Sequence, residues 1–100
     1  MLRITELCDT SEQALLMVEG WVSGGNVTLL EEECTRRHRA GRRVVLDLTG
    51  VRAIDRGGIE LLRRWRNARL TLRGGSSFIL TLLASHGLDE MVQERNGGGS

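Results

Sequence analysis

The segment from Arg43 to Trp65, RVVLDLTGVRAIDRGGIELLRRW, constrains the fold of this chain more than any other. It opens with a continuous apolar run that begins with β-branched residues and is bounded by Gly50, which is typical of a buried strand. A short link, 51–54, leads to the turn Asp55–Gly58, and apolar residues then recur at helical spacing. Asp55 suits the N-cap position because its carboxylate can accept hydrogen bonds from the first N–H groups of a helix. The segment therefore predicts a buried strand, a glycine-rich turn and a helix.

The rest of the chain predicts three more strands and two more helices around this segment. The strands are expected at Leu2–Leu7, Ala14–Val22 and Arg69–Leu72. The helices are expected at about 26–40 and 77–86, with a final short helix at 89–94. The order is β-β-α-β-α-β-α, in which the first two strands form an antiparallel hairpin. Right-handed crossovers then place the two linking helices on one face of the sheet.

Several local details follow from the residues at the helix ends. The first helix has two competing caps, Asn26 and a capping box of Thr28 with Glu31. In the last helix, either Ser76 or Ser77 can cap the start, and Gly87 with Leu88 predicts a Schellman-type end. Three further sets of residues are assigned by helical spacing. They are the inward stripe Val27, Leu30, Cys34 and His38, the ion pairs Glu32–Arg36 and Glu33–Arg37, and the apolar face Phe78, Ile79, Leu82 and Leu83.

The runs VVLDLTGV and IDRGGIELL resemble the central signature of STAS domains, the anti-sigma-factor-antagonist fold. That signature is an aliphatic strand ending in Asp-Leu-Ser-Gly-Val, followed by Asp-Ser-Ser-Gly-Leu before a helix. The matching residues here are Asp47, Leu48, Gly50, Val51, Asp55 and Gly58. The resemblance covers nearly all of 2–92 and implies one α/β STAS domain with about four mostly parallel strands and helices mainly on one face. We expect this domain at 1–95 and a flexible Gly-rich tail at 96–100.

The turn 55–58 departs from the STAS pattern at the residue that is phosphorylated in the regulatory members of the family. In STAS regulators, the Ser directly before the helix glycine accepts a phosphate from an anti-sigma kinase. Gly57 stands at that position and has no hydroxyl, and Arg56 replaces the neighbouring Ser. Arg56 is slightly unfavourable at a helix start, which makes it a candidate for binding an acidic partner. A freely solvated arginine is the alternative interpretation.

Three functional hypotheses follow. The first is a non-catalytic protein-interaction and regulatory module of the anti-sigma factor antagonist type, which binds an anti-sigma factor or kinase-like protein. The second is a STAS subunit that binds the ATPase of a lipid-transport ABC complex, because those subunits resemble this chain at an Asp-Thr-Gly-Gly turn. The third is a small-ligand or nucleotide-binding protein that uses the turns 55–58 and 74–77. The predicted partner-binding residues are Asp55, Arg56, Gly57, Gly58, Glu60, Arg63 and Arg64.

The composition and the absence of known motifs argue against several other functional classes. The net charge of +1 gives no electrostatic case for nucleic acid. No apolar run reaches membrane-spanning length, so we expect no membrane insertion. Cys8 and Cys34 do not have the number or spacing of a disulfide framework or a zinc site. We therefore expect free thiols, no metal site and a reducing compartment. His38 and His86 lie on separate predicted helices without catalytic partners. We therefore expect a cytoplasmic protein without enzyme activity or cofactor, and the resemblance to STAS domains implies a bacterial one.

Overall fold

The computed structural model describes residues 1–93, apart from the side chains of Cys8 and Asp9. The strands are β1 (Leu2–Asp9), β2 (Gln13–Val22), β3 (Arg43–Ile54) and β4 (Leu70–Arg73). The helices are α1 (Asn26–Arg39), α2 (Arg56–Arg64) and α3 (Ser77–Ser85), followed by a short 3-10 helix, Asp89–Met91. This order confirms the predicted β-β-α-β-α-β-α arrangement. The predicted tail, 96–100, and the last residues of the predicted domain, 1–95, lie outside the described residues.

The four strands form one sheet in the order β1-β2-β3-β4. β1 and β2 are an antiparallel hairpin, whereas β3 runs parallel to both β2 and β4. The chain therefore needs a crossover between each parallel pair, and α1 and α2 supply these crossovers. The mostly parallel sheet and the antiparallel hairpin of its first two strands confirm the sequence prediction.

The three helices pack on one face of the sheet. In β2, buried Ala14, Leu16 and Val18 alternate with half-buried Leu15 and Met17, so one face of the strand meets the core. The core cluster combines this face with residues from each helix. These core residues include Leu30 and Cys34 of α1, Ile59, Leu61 and Leu62 of α2, and Ile79 and Leu83 of α3. Most of the core side chains are aliphatic, as the scarcity of aromatic residues predicts.

β3 is longer than the sequence predicts. We expected the strand to be bounded by Gly50 and followed by a link, but the strand continues to Ile54. The extension pairs with the end of β2, where Gly20 lies opposite Val51 and Val22 lies opposite Ile54. Register shifts in this pairing accommodate the glycine, and Val51 and Ile54 are buried. The link prediction was wrong because pairing with β2 and burial of the side chains outweigh the local effect of the glycine.

The start of α1 also differs from the prediction. Gly25 occupies the N-cap position and makes no side-chain cap hydrogen bond. Neither candidate cap is used, because the Asn26 amide donates to the carbonyl oxygen of Trp21 at 3.2 Å and Thr28 lies inside the first turn. His38, which was assigned to the inward stripe, is exposed, and its ring meets the edge of the Trp65 ring with centroids 5.4 Å apart.

Arg37, rather than the predicted His38, faces inward from the last turn of α1. Its side chain is 9% exposed and makes ion pairs with Glu33 of α1 and Glu6 of β1. The Arg37 Nε–Glu6 Oε1 distance is 3.0 Å, so this contact ties the first helix to the edge strand. Glu33 also pairs with Arg36. The expected Glu33–Arg37 pair is therefore confirmed, whereas Arg36 pairs with Glu33 rather than with the expected Glu32.

α3 has the predicted ends but not the complete predicted apolar face. The hydroxyl of Ser76 accepts a hydrogen bond from the Ile79 N–H at 3.2 Å, which makes Ser76 the cap. The N–H of Leu88 donates to the Leu83 carbonyl at 2.9 Å after a left-handed Gly87, as in a Schellman motif. Phe78, however, is 65% exposed and belongs to the surface. The final helix ends at Met91 rather than at 94 because Val92 already pairs with Leu72 of β4.

Candidate partner-binding site

The turn between β3 and α2 is held by Asp55. One carboxylate oxygen accepts from the Gly58 N–H at 2.9 Å, and the other accepts from the Gly24 N–H at 3.0 Å. The first bond caps α2, and the second joins the helix start to the loop before α1. These two backbone donors, first that of Gly58 and then that of Gly24, hold the pKa of Asp55 below its ordinary value. Asp55 therefore has a structural role at the predicted site.

The two glycines of the turn have different environments. Gly58 is buried, and a Cβ added there would lie 2.6 Å from Cγ2 of Ile54 and 2.8 Å from the carbonyl oxygen of Val22. Gly57 is exposed, and a Cβ there would approach no atom outside its chain neighbours closer than 3.4 Å. Close helix–strand packing therefore requires Gly58, whereas the position of Gly57 has room for a larger residue.

Four of the predicted partner-binding residues line a groove between α2 and α3, and three of them belong to α2. Arg56, Glu60 and Arg63 recur at intervals of three to four residues on one side of α2. The groove has a volume of about 400 Å³ and also includes Asp55. Apolar and α3 residues complete its lining: Ile54, Ile59, Leu82 and His86. The turn and the helix thus present a concave surface, with charged residues mainly on the α2 wall.

Sequence reasoning did not assign the α3 wall to the site. Leu82 was assigned to the core and His86 to the last turn of its helix, without regard to the α2 surface. The signal was available, because Phe78, Leu82 and His86 are spaced four residues apart and therefore share one stripe of α3. What was missing was the knowledge that Leu82 and His86 lie opposite α2.

The cations of the groove differ in their contacts. Arg63 Nη1 lies 3.6 Å from an Oε2 of Glu60, and Arg63 Nη2 lies 3.5 Å from Nδ1 of His86. The side chain of Arg56 makes no hydrogen bond or ion pair within residues 1–93. An exposed guanidinium at the start of a helix can form charge-assisted hydrogen bonds with an incoming acidic group.

Arg64 lies apart from this group. Its Nη2 is 3.1 Å from both carboxylate oxygens of Glu31, so its side chain joins α2 to α1. The structure therefore brings Asp55, Arg56, Gly57, Glu60 and Arg63 to one surface, with Gly58 of the same turn buried beneath it. Arg64 lies on the other side of the same helix.

In the second glycine-rich turn, 74–77, the structure shows which polar groups already have hydrogen-bond partners. A Cβ at Gly74 would lie 2.4 Å from Oγ1 of Thr49, and the residue has φ +71°, so a glycine is required there. The hydroxyl of Ser76 already accepts from the first turn of α3. In the other glycine-rich turn, 55–58, the carboxylate of Asp55 likewise accepts from the first turn of the helix that follows, α2. An anion at either turn would have to displace these side-chain acceptors.

Two further observations concern metals and membranes. Within residues 1–93, no cluster of His, Cys, Asp and Glu is arranged to hold a metal ion. In the same part of the chain, none of the helices has the length and apolarity needed to span a membrane.

The fold and the Asp-x-Gly-Gly turn together define a STAS-type domain. The family model described as "Mlab, STAS domain" matches residues 7–93, and the chain belongs to this family. Among solved structures, the chain is similar to the anti-sigma factor antagonist SpoIIAA in its unphosphorylated form. The TM-score is 0.77 at 14% identity, over 95% of this chain and 90% of that one. No curated protein matches the chain in sequence.

Proposed function

We propose that this STAS domain is a non-catalytic, cytoplasmic protein-binding module of the anti-sigma factor antagonist type. Its partner binds the turn Asp55–Gly58 and the side of α2 that carries Arg56, Glu60 and Arg63. The observation that supports this most directly is the rigid, capped helix start with an exposed Arg56 beside a groove. A pre-organised surface of this kind binds without a large ordering cost. The similarity in fold to the SpoIIAA antagonist agrees with this role.

The proposal makes Arg56 a contact residue. Tagged full-length chain is used to capture partners from a lysate of the source organism, and the captured proteins are quantified by mass spectrometry. We expect Arg56→Glu to reduce capture of the specific partner by about tenfold or more, because the substitution reverses a charge at the interface. Arg39→Glu is the matched control, since Arg39 is also exposed and has no ion pair within the described residues. Equal capture by both variants would remove Arg56 from the site.

Binding by this module is not controlled by phosphorylation at the turn, because Gly57 has no hydroxyl group. The position has room for one, since a Cβ there meets only Asp55 Oδ1 at 3.4 Å and Val27 Cγ2 at 3.7 Å. Gly57→Ser should therefore fold and bind like the parent chain. Gly57→Asp should fold as well, because an acidic residue is favourable in the first turn of a helix, but it should bind less tightly. Equal binding by the two variants would show that charge at this turn does not affect the partner.

The partner class has a specific alternative. The family model is described as Mlab, and the sequence Asp55-x-Gly57-Gly58 resembles the turn of STAS subunits of lipid-transport ABC complexes. In that case the same surface binds the ATPase of the complex rather than an anti-sigma factor. The identity of the protein that depends on Arg56 for capture distinguishes the two, since one outcome is an ABC ATPase and the other a kinase-like protein. The neighbouring genes provide an independent check.

A further inference from the structure

We propose that the partner presents an amphipathic helix to the groove between α2 and α3. An apolar side chain of that helix packs against Leu82 and Phe78, and a carboxylate of the same helix pairs with Arg56. This inference rests on the proposed function, because it specifies which element of the partner occupies the proposed surface. It adds the α3 wall, and Phe78 in particular, to the binding site.

The apolar part of the surface lies on α3. Leu82 lines the groove, and Phe78 lies one helical turn before it on the same stripe of α3. Ile79 and Leu83 already anchor the helix in the core. Phe78 is 65% exposed, more than any other large apolar side chain of residues 1–93 except Met1. An exposed phenylalanine beside a groove is a typical anchor position in a protein interface.

The shape and backbone of the groove favour a helix over an extended peptide. Both walls are α-helices whose backbone groups bond within their own helix. An extended segment would find no unpaired strand edge here to satisfy its backbone N–H and C=O groups. A helix satisfies these groups internally and can insert its side-chain ridge between two neighbouring helices. The groove volume of about 400 Å³ suits a few anchor side chains rather than a larger element.

The charges of the groove specify an acidic group on this helix. The carboxylate of Asp55 is engaged with two backbone N–H groups, and Glu60 faces Arg63 at 3.6 Å. The guanidinium of Arg56 is the cation of the groove that has no ion pair within the described residues. A carboxylate on the partner complements Arg56, whereas a basic group there would be repelled.

Photocrosslinking in the source organism tests the proposal on the full chain. Benzoylphenylalanine is placed at Glu60 on the α2 wall, at Phe78 on the α3 wall, and at Leu29 of α1 as the control. Leu29 is a suitable control because it is also an exposed apolar helical residue, with 53% exposure. We expect the probes at 60 and 78 to label one partner segment, at residues three, four or seven apart, with an acidic residue among them. Leu29 should not label this segment.

Other outcomes contradict the proposal in distinguishable ways. Labelling of a partner from position 60 without labelling from position 78 would remove the α3 wall but leave the proposed function in place. Labelling from neither position, with labelling from Leu29, would overturn both. Crosslinks to an extended strand, or to a second copy of this chain, would contradict a partner helix.

A pair of variants provides a test that does not depend on the crosslinker. Phe78→Ser removes the proposed anchor. Leu80→Ser changes another exposed apolar residue of α3, which lies two positions from both Phe78 and Leu82 and therefore on a different side of the helix. We expect Phe78→Ser to reduce capture of the crosslinked partner by about tenfold or more and Leu80→Ser to reduce it by less than about threefold. Both variants should retain the thermal transition of the parent chain. Equal effects of the two substitutions would contradict the assignment of Phe78.

Discussion

The two sides of α2 differ in how they meet their neighbouring helices. On the α1 side, Arg64 binds Glu31 through both carboxylate oxygens, and Trp65 just beyond the helix meets the ring of His38. On the α3 side, the polar contacts within the described residues are long. Arg63 Nη2 lies 3.5 Å from Nδ1 of His86, and Arg66, just beyond α2, donates to the Gly87 carbonyl at 3.4 Å and lies 3.8 Å from a carboxylate oxygen of Glu90. The first side is closed by ion-pair and ring contacts, and the second remains an open groove.

This difference shows that exposure alone does not identify a binding residue. Arg63 and Arg64 are adjacent, and both have exposed side chains, at 42% and 54%. One nevertheless faces the groove and the other connects two helices. The sequence places both on the outward side of α2, and only the positions of α1 and α3 separate their roles. Partner binding should therefore depend on Arg63 and its neighbours, and stability should depend on Arg64.

The largest expected effect concerns the closed side. Cys34 lies on the core-facing side of α1 with 2% exposure, and burial, as the main cause, raises the pKa of its thiol to about 12. In a Cys8→Ser background, we expect the remaining thiol of the native protein to react with a small thiol reagent at least about a thousandfold more slowly than in denaturant. Labelling at comparable rates in both conditions would mean that α1 separates readily from the core.

The next effect separates the two glycines of the turn. Gly58→Ala should lower the free energy of unfolding by about 1–3 kcal/mol, because the new methyl group overlaps Ile54 and the Val22 carbonyl. Gly57→Ala should be neutral or stabilising by up to about 1 kcal/mol, since Ala favours the helix and has room there. Urea denaturation measures both values. Equal losses would mean that the packing of α2 against β2 does not require the glycine.

A smaller effect tests the contact that closes the α1 side. A double-mutant cycle with Arg64→Ala and Glu31→Ala should give a coupling free energy of about 0.2–1 kcal/mol that decreases with added salt. Arg63→Ala and Glu60→Ala form the matched cycle on the groove side, where the atoms lie 3.6 Å apart. We expect a smaller coupling there. A larger coupling free energy for Arg63 and Glu60 would contradict the view that the α1 side of α2 is the side closed by ion pairs.

The smallest expected effect concerns pH. The folded state lowers the pKa of Asp55 from 3.8, so its ionised form stabilises the fold above that value. The stabilisation is lost as the pH falls from 3.8 through the lower folded-state pKa. Asp55→Asn retains a cap without the charge and should reduce the pH dependence of unfolding in this acidic range. Asp47, whose pKa is also lowered, accounts for part of the remaining dependence. An unchanged slope in the variant would exclude a contribution from Asp55.

The sequence predicts the elements that depend on local chemistry. The N-cap at Asp55, the cap at Ser76 and the end of α3 at Gly87 all form as expected, because each needs only a few neighbouring residues. The order of strands and helices along the chain follows from their sequence patterns and from the STAS signature. These features set the position of the candidate site before any tertiary contact is known.

The errors arise where tertiary contacts outweigh local patterns. β3 continues past Gly50 because β2 pairs with it, and Arg37 displaces His38 from the inward stripe because Glu6 and Glu33 pair with its guanidinium. Phe78 was assigned to the core by periodicity alone, yet it is 65% exposed, and Leu82, one turn further along α3, lines the groove beside α2. The α3 wall of the groove could therefore be identified only from the structure, which places α3 beside α2.

The most direct test of the open-groove account is hydroxyl-radical footprinting of the chain alone and in its native assembly. Phe78 and Leu82 report on the groove, and Trp21 and Leu29, each 53% exposed, report on other surfaces. We expect Phe78 and Leu82 to become protected in the assembly while Trp21 and Leu29 keep their reactivity. Protection of Trp21 or Leu29, with Phe78 and Leu82 unchanged, would show that the partner binds elsewhere.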